Sequence, residues 1–279
     1  MAPKKPVGPP TPLNLVITGG SRGIGKFLVD SLAAKGHAVC RLARSPEGGF
    51  SFPCDVADWA ALQNCAKRVA KKWPAVDGLI CCAALLGPIG PTMEIDPTAW
   101  RSALAANLDG TFFTIRAFYP LLRKTRRRAK IICFSGGGAT GPRPNFAAYG
   151  VSKTGVVRLV ETLAAEWQGQ ALDINAVAPG AIFTRMTEQV LALGEKLAGQ
   201  KEFESASKLS RANSDKLERV LGLVEFLLSG KSDGITGKLI SGQWDPWEKL
   251  HEFRKDLAGD IYTLRRIVPE DRGKKWGDK

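Results

Sequence analysis

Residues 15–36 read LVITGGSRGIGKFLVDSLAAKG, an apolar β-branched run, a glycine-rich turn and an amphipathic stretch, in that order. Glycines between a strand and a helix permit a tight turn and let the backbone come close to a pyrophosphate. The helix N-terminus then offers free N–H groups and the positive end of a dipole. A glycine-rich string alone says little, but here the strand before it and the helix after it are both in place. The segment reads as a dinucleotide-binding turn, with Thr18, Gly19, Ser21, Arg22, Gly23, Ile24 and Gly25 around the phosphates.

The same alternation continues outward. Strands are expected at 13–18, 38–42, 50–54, 77–82, 130–135, 172–178 and 237–241, with helices at 24–35, 57–72, 97–123, 147–168, 187–207 and 215–229. Strand-then-helix order argues for an α/β fold, a doubly wound, mostly parallel seven-stranded sheet covered by helices on both faces. Only Ala43 to Gly49 separates the second and third strands, so that step is either an abbreviated loop or a false strand. Three regions follow: a flexible Pro-rich lead at 1–12, one catalytic domain at 13–243, and a C-terminal extension at 244–279 packed on it.

The chain has 279 residues, with 40 Lys plus Arg against 27 Asp plus Glu and a net charge of +13. That length supports a large core without disulfide or metal staples. No apolar run is long enough to cross a membrane, and the basic lead MAPKKPVGPPTP runs into no apolar signal core. The six cysteines show no CxxC pair, which suits a reduced, cytoplasmic protein. With only His37 and His251 present, neither a metal site nor a Ser-His-Asp triad is expected. The cationic run Arg123, Lys124, Arg126, Arg127, Arg128 and Lys130 has no interleaved aromatics, so it reads as surface at a helix C-terminus and not as a nucleic-acid site.

An acidic residue closing the second strand would suit NAD; this chain has Leu42-Ala43-Arg44 there. Arg44 and Arg22 converging on the adenosine 2′ position suit a phosphate, so NADP(H) is favoured over NAD(H). Further on, Tyr149 and Lys153 lie four apart at the start of a long helix and share one face. A neighbouring ammonium favours phenolate, bringing a tyrosine toward the range useful for proton transfer.

With these motifs the chain resembles the short-chain dehydrogenase/reductase family. The matches are Thr18-Gly19-x3-Gly23-x-Gly25, Asp55-Val56, Asn107 in AANLDGTFF, Tyr149-x3-Lys153 and NAVAPGAIFT at 175–184, in family order over some four-fifths of the chain. The resemblance implies hydride transfer between NAD(P) and a carbonyl or hydroxyl carbon of a small molecule. It casts Tyr149 as general acid/base, Lys153 as holder of the nicotinamide ribose and Asn107 as the residue ordering a relay water. Asp55 and Val56 would flank the adenine. Ile182 and Thr184 would meet the carboxamide after the Pro179-Gly180 turn. Relatives are commonly homodimers or homotetramers.

Three departures qualify the match. Cys81-Cys82-Ala83-Ala84 stands where relatives carry Asn-Asn-Ala-Gly, and Ser135-Gly136-Gly137-Gly138 replaces the usual pair of serines. Either Ser135 supplies the substrate-orienting hydroxyl, or Gly136 leaves that position empty and another donor serves. The third departure is the extension, whose Trp244 and Trp247 either pack on the domain or cap the cleft or a subunit interface. Arg143, in the GPRPNF loop before Tyr149, allows an anionic or sugar-type substrate. The competing reading is a dinucleotide-binding protein with weak or no catalysis, acting as a sensor or assembly partner.

Overall fold

The structure is a computed structural model describing residues 12–209, 212 and 214–276; apart from Pro12, the expected N-terminal lead lies outside the described residues. Seven strands form one parallel sheet: β1 (Asn14–Thr18), β2 (Ala38–Ala43), β3 (Ser51–Pro53), β4 (Gly78–Cys81), β5 (Ala129–Phe134), β6 (Leu172–Ala178) and β7 (Leu239–Ser241). Their order is β3-β2-β1-β4-β5-β6-β7. The winding direction reverses between β1 and β4, so a crevice opens beyond the carboxyl ends of those strands.

Period-two alternation builds a core on each face of the sheet. Leu15 and Ile17 of β1 pack with α1 (Gly23–Ala34) and α8 (Ser214–Leu228), while Val16 between them packs with α2 (Trp59–Lys72), α4 (Gly110–Leu122) and α5 (Ala147–Glu166). All three side chains are fully buried, each contributing roughly 1.5–3 kcal/mol. Adjacent Cys81 and Cys82 likewise divide between the two layers. The short step after β2 is an abbreviated loop, because Arg41–Ala43 pair in parallel with Ser51–Pro53. Phe50 closes that loop edge-on against Trp73, with ring centroids 4.9 Å apart.

Two helices expected to be continuous are broken. Residues 97–122 form α3 (Pro97–Leu104), a π turn (Ala105–Asp109) and α4. Asp96 caps α3 through Thr98 and Ala99 N–H. The widened turn sets Asn107 inward, where its side chain is consumed by the backbone of Leu85 and by Ser152. Downstream, α6 (Arg185–Ala198) kinks at Gly194, with φ 72°, and α7 (Gln200–Ser207) restarts after Gly199. Thr184 and Thr187 cap α6 reciprocally.

The cationic run is not all surface. Lys130, on β5, is 4% exposed and pairs with Asp173 (2.8 Å) and Asp233 (2.7 Å), and Arg128 also reaches Asp173 (3.1 Å). Alternation along a central strand turns Lys130 into the protein, and only carboxylates from β6 and the segment before β7 make that tolerable. Beyond β7, Leu250 and Leu257 join the layer of α1 and α8, and Trp247 lies over Gly222 of α8. Trp244 remains 75% exposed.

Candidate active site

A cleft of about 850 Å³ occupies the crevice beyond β1, β2 and β4. Gly19 turns the chain out of β1 with φ 71°, and a Cβ there would stand 2.7 Å from the Ala83 backbone. Gly25 packs so closely on Gly19 O that no side chain fits. The turn and helix N-terminus are thus free of side chains where a pyrophosphate would lie, so the residues present fit a dinucleotide. Thr18 sits beneath the cleft and is not part of its wall; its Oγ1 accepts from the N–H groups of Cys82 (3.2 Å) and Ala83 (3.3 Å). That hydroxyl fastens the end of β4 to β1.

Ser21, Arg22, Gly23, Ile24, Arg44, Asp55, Val56 and Thr184 all line the cleft. Asp55 is engaged locally, its Oδ1 accepting from Ala57 N–H at 3.0 Å. Arg185, at the start of α6, joins the wall and escaped the sequence reading; a basic residue directly after Thr184 was the available signal. Partial burial, then the Arg185 and Arg44 guanidiniums, pull Arg22 below its usual value. Three like charges gathered at one mouth favour an anion there. Pro179, Gly180 and Ile182 lie outside the wall. Gln243 braces Pro179 O (3.1 Å), and Ile182 is buried with Thr187 donating to its carbonyl (3.1 Å).

Tyr149 and Lys153 share one face of α5, with Lys153 Nζ 5.8 Å from the phenol ring centre. Lys153 is 2% exposed and donates to Phe134 O at 2.8 Å. Burial brings its ammonium down to about 8, against the opposing influence of Cys82, Cys133 and Cys81. Tyr149 is 8% exposed, beneath Leu86, Phe146 and Val190. Burial pushes its phenol up, the Arg143 guanidinium pulls it down, and Cys82 pushes it up again. Arg143 thus joins Lys153 as a cation beside Tyr149, their charged groups 5.6 and 5.8 Å from its ring centre.

Ser135 does not face the tyrosine. It is 3% exposed and its Oγ donates to Lys153 O at 3.3 Å, because the last turn of β5 aims it at the α5 backbone. Of the two alternatives for the substrate-orienting hydroxyl, this geometry favours the one in which Gly136 leaves the position empty and another donor serves. Residue 136 faces Tyr149 instead, and a Cβ there would lie 2.5 Å from Tyr149 Oη. Asn107 is fully buried, with both amide groups occupied.

The sequence model of the Enoyl-(Acyl carrier protein) reductase family matches residues 21–241. The chain belongs to the short-chain dehydrogenase/reductase family. This short-chain dehydrogenase/reductase is 30% identical over 233 residues to the 3-oxoacyl-[acyl-carrier-protein] reductase MabA of Mycobacterium tuberculosis, covering 81% of this chain and 90% of that protein. It is 30% identical over 185 residues to D-threitol dehydrogenase of Mycolicibacterium smegmatis, covering 61% and 70%. A short-chain dehydrogenase of Escherichia coli CFT073 complexed with NADPH matches it with a TM-score of 0.70 and 26% identity, over 83% of this chain and 98% of that one. The protein is thus an oxidoreductase of the short-chain type. Among the described residues, no helix is long and apolar enough to cross a membrane.

Proposed function

We propose that the protein is an NADP(H)-dependent oxidoreductase that interconverts a carbonyl and an alcohol, with Tyr149 as general acid/base. When bound, the nicotinamide supplies or accepts the hydride. In reduction the carbonyl carbon gains that hydride while Tyr149 Oη protonates the oxygen. Lys153, buried behind Tyr149 and brought down to about 8, is a proton holder tuned close to neutral pH, placed to hold the nicotinamide ribose and to reload the phenol. The observation that carries this reading is the shared α5 face of Tyr149 and Lys153, with Gly136 directly against Tyr149 Oη. Arg22 and Arg44 on the cleft wall support NADP(H) over NAD(H), through the adenosine 2′-phosphate.

The side chains around Tyr149 are apolar: Leu86, Ile89, Phe146, Met186 and Val190. They favour an uncharged carbonyl with apolar flanks. An anionic substrate would have depended on Arg143, whose Nε and Nη2 are taken by Glu202 at 2.9 and 2.8 Å. Tyr149→Phe should retain NADPH binding and lose turnover across a carbonyl panel; undiminished turnover would remove Tyr149 from the chemistry. Gly136 and the depth of Tyr149 favour a second reading, a dinucleotide-binding sensor or assembly partner, which tight NADPH binding without oxidation of any carbonyl would support. We place the protein in the cytoplasm as a homo-oligomer built on α4 and α5, where Phe112 and Val151 are exposed; sedimentation measures that state.

A further inference from the structure

The run Gly136-Gly137-Gly138 serves as a mould for two side chains. Gly136 faces Tyr149 Oη. A Cβ on Gly137 would sit 3.8 Å from Arg143 Nη1, and one on Gly138 3.3 Å from Arg143 Cβ. Across this run the guanidinium stacks 4.1 Å from the Phe146 ring centre and lies 5.6 Å from that of Tyr149. Its fork is pinned by both oxygens of Glu202, which reaches over from α7. Bidentate pairing fixes a guanidinium more firmly than a single bond can. The same pairing marries the loop before α5 to the helices that roof Tyr149.

We propose that Arg143 is a positioning residue for the reaction, a cation that Glu202 holds beside Tyr149 to set the phenol's proton affinity where Gly136 provides no hydroxyl. The inference rests on Tyr149 being the general acid/base. The ionisable groups facing the phenol are Arg143 from its own loop, Lys153 from α5, Cys82 from the end of β4 and, through Arg143, Glu202 from α7. Arg143 favours the phenolate, and Glu202 acts through it by fixing the guanidinium in place.

That dependence supplies the test. The phenolate absorbance of the full chain is titrated with pH, and the Tyr149→Phe variant is subtracted to isolate Tyr149. Arg143→Gln should move the Tyr149 midpoint upward by about one pH unit. Arg143→Lys should recover most of that shift, and Glu202→Gln, which frees the guanidinium, should also move the midpoint upward, but not on the Arg143→Gln background. In turnover, the pH limb governed by Tyr149 should shift in kcat with little change in KM. A midpoint unmoved by Arg143→Gln, or raised by Glu202→Gln equally with and without Arg143, would overturn the proposal. Should Arg143→Gln fail to fold, the Glu202→Gln shift decides alone: upward supports the proposal, unchanged or downward overturns it. Because the titration needs no substrate, a protein that turns nothing over fails the functional reading without deciding the role of Arg143.

Discussion

Tyr149 Oη occupies the space into which any side chain at residue 136 would grow, 2.5 Å from the Cβ position of Gly136. Family resemblance suggests that a serine there would improve the enzyme. The structure indicates the reverse, since the new Cβ must displace the phenol oxygen. Gly136→Ser and Gly136→Ala should each lower kcat by about a hundredfold, in keeping with the cost of a small misplacement of a reacting group. Steady-state kinetics with NADPH would show it. A serine variant faster than the parent would mean that the tyrosine shifts without penalty.

Arg22 and Arg44 meet at the same rim of the cleft. If they read the 2′-phosphate, Arg22→Ala and Arg44→Ala should each weaken NADPH binding by about tenfold, one charge-assisted hydrogen bond's worth. NADH binding should be spared. Calorimetric titration with both nucleotides separates the cases, and equal losses would assign the arginines to the shared pyrophosphate.

Lys153 carries a pH signature. Its ammonium is lowered from 10.5 to about 8 by burial. Between those values the unfolded chain holds a proton that the folded one lacks, so stability rises with pH across that window. Below about 8 the penalty is fully present, of the order of 3 kcal/mol. Relative to Lys153→Met, the parent should therefore gain stability by about that amount between about pH 7 and about pH 11. Urea unfolding at both ends would measure the gain, and a constant gap would show that burial costs the ammonium nothing.

Asp173 accepts from Lys130 and Arg128 in the sheet interior. Asp173→Ala would leave Lys130 with Asp233 and the Ser232 hydroxyl, and a loss of about 3 kcal/mol is expected. The midpoint of denaturant unfolding should fall accordingly. A loss within about 0.5 kcal/mol would mean that the pair is solvated more freely than its 1% exposed carboxylate suggests.

Local signals carried the strands and the phosphate turn. Leu15-Val16-Ile17 before Gly19 announces a buried strand and its turn, and Tyr149 and Lys153 four apart announce a shared face. Features set by distant partners left no such mark. Nothing within 97–123 reveals that Asn107 will be drawn to Leu85, so the π turn is invisible in a sequence that reads as one helix. Arg143 and Glu202 are 59 positions apart, and their pairing depends on how α6 kinks at Gly194. Lys130 looked like one cation among six because its carboxylates arrive from β6 and beyond. Ser135 and Gly136 differ by one step along the chain, and the strand's pleat alone decided which one meets the tyrosine.

The indole of Trp247 fills the hollow over Gly222, where a Cβ would come within 2.7 Å of it, and Leu250 and Leu257 continue that seal along α8. The family model ends at residue 241, yet the hydrophobic layer does not. A truncation placed at the family boundary would strip the cover from α1 and α8 and leave an open apolar trough. For this protein the last strand finishes the sheet, and the residues after it finish the fold.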